Sequence, residues 1–168
     1  MMRRAIRAFG WRLIARIQQR KPDVIIGGAE RPYLRRWWII PRNRWLNVYL
    51  HQFLRDDDDR ALHDHPWVNC SILLDGAYHE IMPVVASNPT GPVLVRYRTA
   101  GSIVVRRPES AHRIALDKID GAPVPCWSLF LTGPVVRSWG YWCPRGWRHW
   151  RVFTNPDDGG ATRGRGCD

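Results

Sequence analysis

Residues 62–76 read LHDHPWVNCSILLDG. His63 and His65 stand two apart and lead into an apolar run that ends at Asp75 and Gly76. In a strand, alternate side chains share a face, so His63, His65 and Asn69 are expected to point the same way. Two imidazoles at this spacing can meet one ion about 2 Å from each ring nitrogen. An isolated H-x-H pair carries little weight, because two surface histidines produce it by chance. The surrounding chain decides its meaning.

Working outward, the segments YLRRWWIIP, WLNVYLHQFL, VNCSILL, AYHEIM, VLVRYR, SIVVRR, CWSLFLTG and WRVF are short and rich in β-branched and aromatic residues. PRNR, DDDD, NPTGP, DGAPVP and CPRG lie between them and read as turns. About seven or eight strands at near-regular spacing point to a closed or two-sheet all-β domain. No helical pattern interrupts them, which argues against a parallel α/β sheet. Upstream, KPDVIIGGAERP reads as a connection. The first stretch, MMRRAIRAFGWRLIARIQQR, has no acidic residue, and Ile6, Phe9, Leu13, Ile14 and Ile17 recur at helical spacing. Arginines break its apolar residues apart, so it lacks the apolar core of a secretory signal. It is read as a basic amphipathic helix packing its stripe on the domain; a transit peptide and a membrane-surface helix share the pattern. The expected organisation is a helix over 1–20, a β-barrel domain over 21–155 and a disordered tail over 156–168, where Gly and charge occur without periodicity.

A chain of 168 residues suits one domain with a substantial core, and 45% hydrophobic residues exclude global disorder. The formal net charge is +11, and only Lys21 and Lys118 among the 26 basic residues are lysines. Such a surplus favours contact with something anionic: nucleic acid, a membrane surface or an acidic substrate. A basic domain without that role is the plainer alternative. Cys70, Cys126, Cys143 and Cys167 form no C-x-x-C pair and are read as reduced thiols of a cytoplasmic protein. No apolar run approaches 18 residues, so no membrane span is expected.

The spacing around His63 resembles the cupin family. That family's first motif has two histidines flanking one residue, then three or four residues, a glutamate, six more residues and a glycine. His63, His65, Asn69 and Gly76 keep this frame, with Asn69 in place of the glutamate. The second motif sets a histidine eleven residues after a glycine, and GSIVVRRPESAH places His112 eleven after Gly101. Pro108 is one position off the family pattern, and Glu109 stands where a second glycine belongs. The resemblance covers residues 45–132. It implies a cupin-type double-stranded β-helix, a jelly-roll barrel, with His63, His65 and His112 converging on a divalent metal. Asn69 would be a neutral ligand or lie just behind the ligands. A bound Fe(II) would then keep its full charge and several open positions, which suits an anionic, chelating substrate. The alternative is a barrel that has lost its metal and keeps the histidines hydrogen-bonded in its core.

The first motif is also similar to that of thiol dioxygenases, cupin-like enzymes with three histidines and no carboxylate ligand. Cys70 falls where part of that family carries a cysteine cross-linked to a tyrosine. The family's downstream serine-histidine-tyrosine relay is missing from CWSLFLTG. Alternation sends Cys70 to the face opposite Asn69, so it is read as a small buried apolar residue.

An anionic ligand in a barrel needs a bidentate cation. Of Arg35 and Arg36, neighbours on one strand, one should face inward. Arg96 and Arg98 share a face and are further candidates for holding substrate, as is His51 in VYLHQFL. For each arginine the alternative is a solvated surface position, and for His51 a half-exposed one. Asp56 to Asp59 lack the spaced ligands of a calcium loop and read as a solvated turn. Trp127, Trp139, Trp142, Trp147 and Trp150, interleaved with arginine, would either close the barrel or stack on nucleic acid or a sugar. The resulting expectation is a metal-binding cupin, a dioxygenase-like oxidoreductase acting on a small anionic molecule. Its metal would be Fe(II), with Mn, Ni, Cu or Zn open. A homodimer and a polyanion contact through the Trp/Arg surface are compatible with it. The competing readings are a non-catalytic sugar, nucleotide or nucleic-acid binding module, and a metal-dependent isomerase or epimerase.

Overall fold

A computed structural model describes residues 2–57, 61–158, 162 and 164–168. Among the described residues, helix α1 (Met2–Ile17) precedes fourteen strands. These are β1 (Val24–Ile26), β2 (Leu34–Trp38), β3 (Asn47–Phe53), β4 (Leu62–His63), β5 (Asn69–Asp75), β6 (Ala77–Pro83) and β7 (Val93–Thr99). Then follow β8 (Ile103–Arg106), β9 (Arg113–Leu116), β10 (Lys118–Ile119), β11 (Ala122–Pro123), β12 (Cys126–Thr132), β13 (Gly140–Cys143) and β14 (Gly146–His149). A short helix α2 (Trp150–Phe153) and a 3-10 turn (Pro156–Asp158) close the described chain.

The main sheet has the order β1-β2-β3-β12-β5-β8. Two smaller sheets run β14-β13-β4 and β7-β6-β9, and a reciprocal bridge between His63 and His112 joins them into a second layer. The layers face each other across a core of Leu34, Phe53, Leu73 and Cys126 from the first and Tyr78, Ile114 and Leu116 from the second. Two-residue steps along each strand then change the character of the interior. Leu34 leads to Arg36, Phe53 to His51, Leu73 to Ser71 and Asn69, Tyr78 to Glu80, and Leu116 through Ile114 to His112. The barrel is therefore apolar at one end and polar at the other.

Helix α1 lies on the outer face of the main sheet. Ile14 is buried there with Trp37, Leu50, Leu74 and Trp127, and Ile6, Leu13 and Ile17 pack around them. Gly10 allows this approach, because a Cβ at that position would stand 2.9 Å from Leu74 Cβ. Trp37 and Trp127 stack beneath the helix at 5.5 Å between centroids, so these tryptophans serve packing.

Three local expectations are corrected. Val24–Ile26, read as part of a connection, is an edge strand paired with Leu34–Arg36. WRVF is a helical turn and not a strand, capped by His149, whose Nδ1 accepts from the Arg151 amide. The reading of all four cysteines as free thiols also fails, since Cys143 and Cys167 form a disulfide and Cys70 and Cys126 are free. The pair forms because the C-terminal segment turns back: the amides of Gly164 and Gly166 both donate to the Phe153 carbonyl. Across 24 residues nothing local in the sequence announces that return.

Candidate metal centre

The two halves of the centre are joined by backbone pairing. The His63 amide donates to the His112 carbonyl at 2.9 Å and the His112 amide to the His63 carbonyl at 3.0 Å. β4 ends at His63, so His65 lies in the following turn, where its amide donates to the Pro108 carbonyl at 2.9 Å. Asp64, between the two histidines, points the other way and is fully buried. Its carboxylate accepts from the Gly140 amide at 2.8 Å and from Trp147 Nε1 at 3.0 Å, and Arg137 lies 3.0 Å away. Asp64 thus ties the histidine turn to β13 and β14. Its role was not foreseen, although the same alternation that unites the histidines sends it to the opposite side.

One nitrogen from each of His63, His65 and His112 lies within 4.8 Å of the others. His65 Nε2 and His112 Nε2 are 2.9 Å apart. Two nitrogen ligands at right angles about 2.1 Å from one ion would be about 3.0 Å apart, so this spacing fits a shared metal. A ring-to-ring hydrogen bond has that length too, and the third ring within reach is what makes the cluster a candidate metal site. Carboxylates stand behind two of the rings: Asp57 Oδ2 lies 3.8 Å from His63 Nδ1, and Glu80 Oε1 lies 3.4 Å from His112 Nδ1. With Nδ1 toward Glu80, His112 presents Nε2 to His65 Nε2. Burial is the main influence lowering the basicity of His65, reinforced by His63 and His112. The His112 pKa falls to about 3, through burial first and then Arg106, against the pull of Glu80. Both rings are neutral at pH 7, the form in which imidazole binds a metal.

Asn69 begins β5 and is buried, but its Oδ1 faces Arg106 Nη1 at 3.4 Å and its Nδ2 has no partner. Arg106 in turn donates through Nε to Glu80 at 2.7 Å, while Arg98 meets the other Glu80 oxygen at 2.8 Å through both Nε and Nη2. Burial alone would raise the Glu80 pKa, yet hydrogen bonds and charge from His112 and Arg106 hold it below the usual carboxylate range. The sequence reading missed both Glu80 and Arg106. The available signal was position: Glu80 is two residues from the inward Tyr78, and Arg106 pairs directly with Asn69.

The same cavity, of about 510 Å³, contains Arg36 and His51 as well as the three histidines. Arg36 Nε donates to His51 Nε2 at 2.9 Å, and its guanidinium lies 4.8 Å from the Tyr49 ring centroid. His51 is 3% exposed and stacks on Phe130, so it is not the half-exposed residue considered above. Burial, and then the Arg36 charge, lowers its basicity. Arg35 lies on the outer face against Gln52, Arg96 is exposed on β7, and Arg98 is committed to Glu80. Cys70 pairs with Val105, outside the cavity. Asp58 and Asp59 lie outside the described residues. Asp56 and Asp57 are more than a solvated turn, because they accept from the Leu116 and Ile114 amides, each at 2.7 Å.

No family model matches the sequence, and no curated protein does. Solved structures do match by shape. HppE in its Fe(II) form with substrate superposes with a TM-score of 0.50 at 14% identity, over 68% of this chain and 57% of its own. A double-stranded β-helix protein from Klebsiella pneumoniae gives 0.47 at 14% identity, over 69% of this chain and 90% of its own. A cupin-2 domain protein from Shewanella frigidimarina gives 0.42 at 13%, over 58% and 78%. The fold resembles the barrel of these proteins. In this barrel the three histidines could bind a metal, and among the described residues no carboxylate joins them as a fourth ligand.

Proposed function

We propose that this cupin is a metal-dependent oxidoreductase of the dioxygenase type, acting on a small anionic molecule. The observation that carries the reading is the pairing of two features in one cavity. Three convergent imidazoles share the cavity with a half-buried guanidinium that no carboxylate among the described residues neutralises. A half-buried cation without a counter-charge is costly, and an anionic ligand lowers that cost.

In this reading His63, His65 and His112 hold one divalent transition metal, with Fe(II) the first choice because HppE carries it on a similar fold. Bound there, the metal would supply open coordination positions for substrate and dioxygen. Asp57 and Glu80 keep His63 and His112 turned toward it. Arg36, fixed through Nε by His51, offers its two Nη groups to a carboxylate or similar group. Trp67 and Phe130, both lining the cavity, limit water. Asn69 braces Arg106 and contributes no ligand. Arg36 gives the metal end of the cavity a cation without an acidic partner among the described residues, which favours an anionic group there.

The test is oxygen uptake by iron-reconstituted protein against a panel of small carboxylic acids and thiols. Uptake that depends on iron and is lost in His112→Ala supports the reading. Conversion of a substrate without oxygen consumption would replace it with an isomerase-type reaction.

A further inference from the structure

The outer face of α1 is not explained by the barrel. Its inner face, formed by Ile6, Gly10, Leu13, Ile14 and Ile17, is already seated on the main sheet. At 3.6 residues per turn the opposite face carries Ala5, Ala8, Arg12 and Ala15, all exposed. Phe9 and Trp11 flank this face on its two sides and are 58% and 56% exposed. Neither ring belongs to the apolar cluster beneath the helix. Arg4, Arg7 and Arg16 are exposed around them, and no acidic residue occurs before Asp23.

We infer that this face docks on an anionic phospholipid surface, with α1 lying in the plane of the headgroups. A helix that only packs on a sheet gains nothing from exposing two large aromatic rings. Their placement at the two margins, with small alanines between, lets both rings dip to the depth of the headgroup and acyl boundary. Trp and Phe bodies are favoured there, and arginine stems can extend alongside them to reach lipid phosphates. Charge selects the lipid: an acid-free, arginine-bearing face is attracted to anionic membranes and gains little from zwitterionic ones. A single-stranded nucleic acid would meet the same charges, but the alanines leave no stacking platform between the two rings. Docking through α1 leaves the cavity free, because no α1 residue lines it.

The experiment is co-sedimentation of the full chain with vesicles of phosphatidylcholine alone and of phosphatidylcholine with phosphatidylglycerol, repeated with single-stranded RNA as competitor. Binding to the anionic vesicles is expected to exceed binding to the zwitterionic ones at least about tenfold and to weaken with salt. Phe9→Ser with Trp11→Ser should reduce that binding at least about fivefold while leaving the melting temperature unchanged, since both rings are exposed. Arg12→Glu with Arg16→Glu provides a second, independent variant expected to abolish the lipid preference. Equal binding to both vesicle types, binding unaffected by either pair of substitutions, or RNA binding without vesicle binding would overturn the inference.

Discussion

Arg36 donates through Nε to His51 Nε2 at 2.9 Å, inside the cavity that holds the three convergent histidines. A neutral imidazole orients the guanidinium without cancelling its charge. The pair therefore presents a fixed cation to whatever enters. Arg36→Met removes a half-buried charge without an acidic partner among the described residues and keeps most of the volume, so the ligand-free protein should be at least as stable as the parent. Its metal content should not change, while affinity for a small carboxylate should fall by at least about tenfold. A large drop in melting temperature would show instead that Arg36 has a structural partner.

Glu80 behaves in the opposite way. It receives Arg98 and Arg106 and faces His112, with no exposure to solvent. Glu80→Gln leaves two cations poorly paired and should cost about 3–5 kcal/mol of stability by denaturant titration. In protein that still folds, metal affinity should fall about 10- to 100-fold as His112 loses its support. Unchanged metal affinity would place Glu80 outside the centre's supporting shell.

The buried imidazoles set a pH dependence. Burial is the first cause lowering the pKa of His51, His65 and His112, the last to about 3, while the unfolded chain titrates near 6.5. Between those values the unfolded chain binds more protons, so stability rises with pH in that window. Metal-free protein should lose up to about 1.4 kcal/mol per pH unit for each of these rings as pH falls below about 6.5. Glu80, depressed below its unfolded value, adds a further loss only below about pH 4.3. Melting curves at pH 7.5, 6 and 5 check this; a flat profile would contradict neutral buried rings.

Thiol accessibility should separate the four cysteines. Cys143 and Cys167 should appear as one linked peptide in a non-reducing digest. Cys70, partly exposed, should alkylate in the native protein. Cys126 is buried against the core, which pushes its thiol up to about 12, so it should react only on unfolding. Closing the loop between Cys143 and Cys167 should be worth about 3 kcal/mol. Native alkylation of Cys143 or Cys167 without reductant would contradict the pairing.

Packing under α1 gives a fifth check. Gly10→Val places branched carbons where even a Cβ meets Leu74 Cβ at 2.9 Å. The helix must lift, and a loss of about 1–3 kcal/mol is expected despite the better helix propensity of valine. An unchanged melting temperature would mean that the helix does not depend on this contact.

The repeating pattern of the strands and the two spaced histidine motifs made the barrel and its histidine cluster legible in the sequence. The strands follow from period-two alternation, a local property, whereas the place of His112 beside His63 and His65 came from the resemblance of the two motifs to the cupin family. Alternation also put one of Arg35 and Arg36 inside, although only the register against His51 shows that it is Arg36. Glu80, Arg106, Asp57 and Asp64 were not legible as parts of the centre. Each acts through a contact with a residue far along the chain, and a charged side chain reads as solvated until its partner is known. The Cys143–Cys167 bond was hidden for the same reason, since it depends on a backbone return at Phe153.

The central claim is that His63, His65 and His112 hold a transition metal. Elemental mass spectrometry on protein purified without an affinity tag, beside His63→Ala and His112→Ala, tests it most directly. The account predicts near-stoichiometric metal in the parent, before or after anaerobic reconstitution with Fe(II), and at least about a tenfold loss of affinity in each variant. Parent protein that stays empty after reconstitution, or variants that keep the metal, would contradict it.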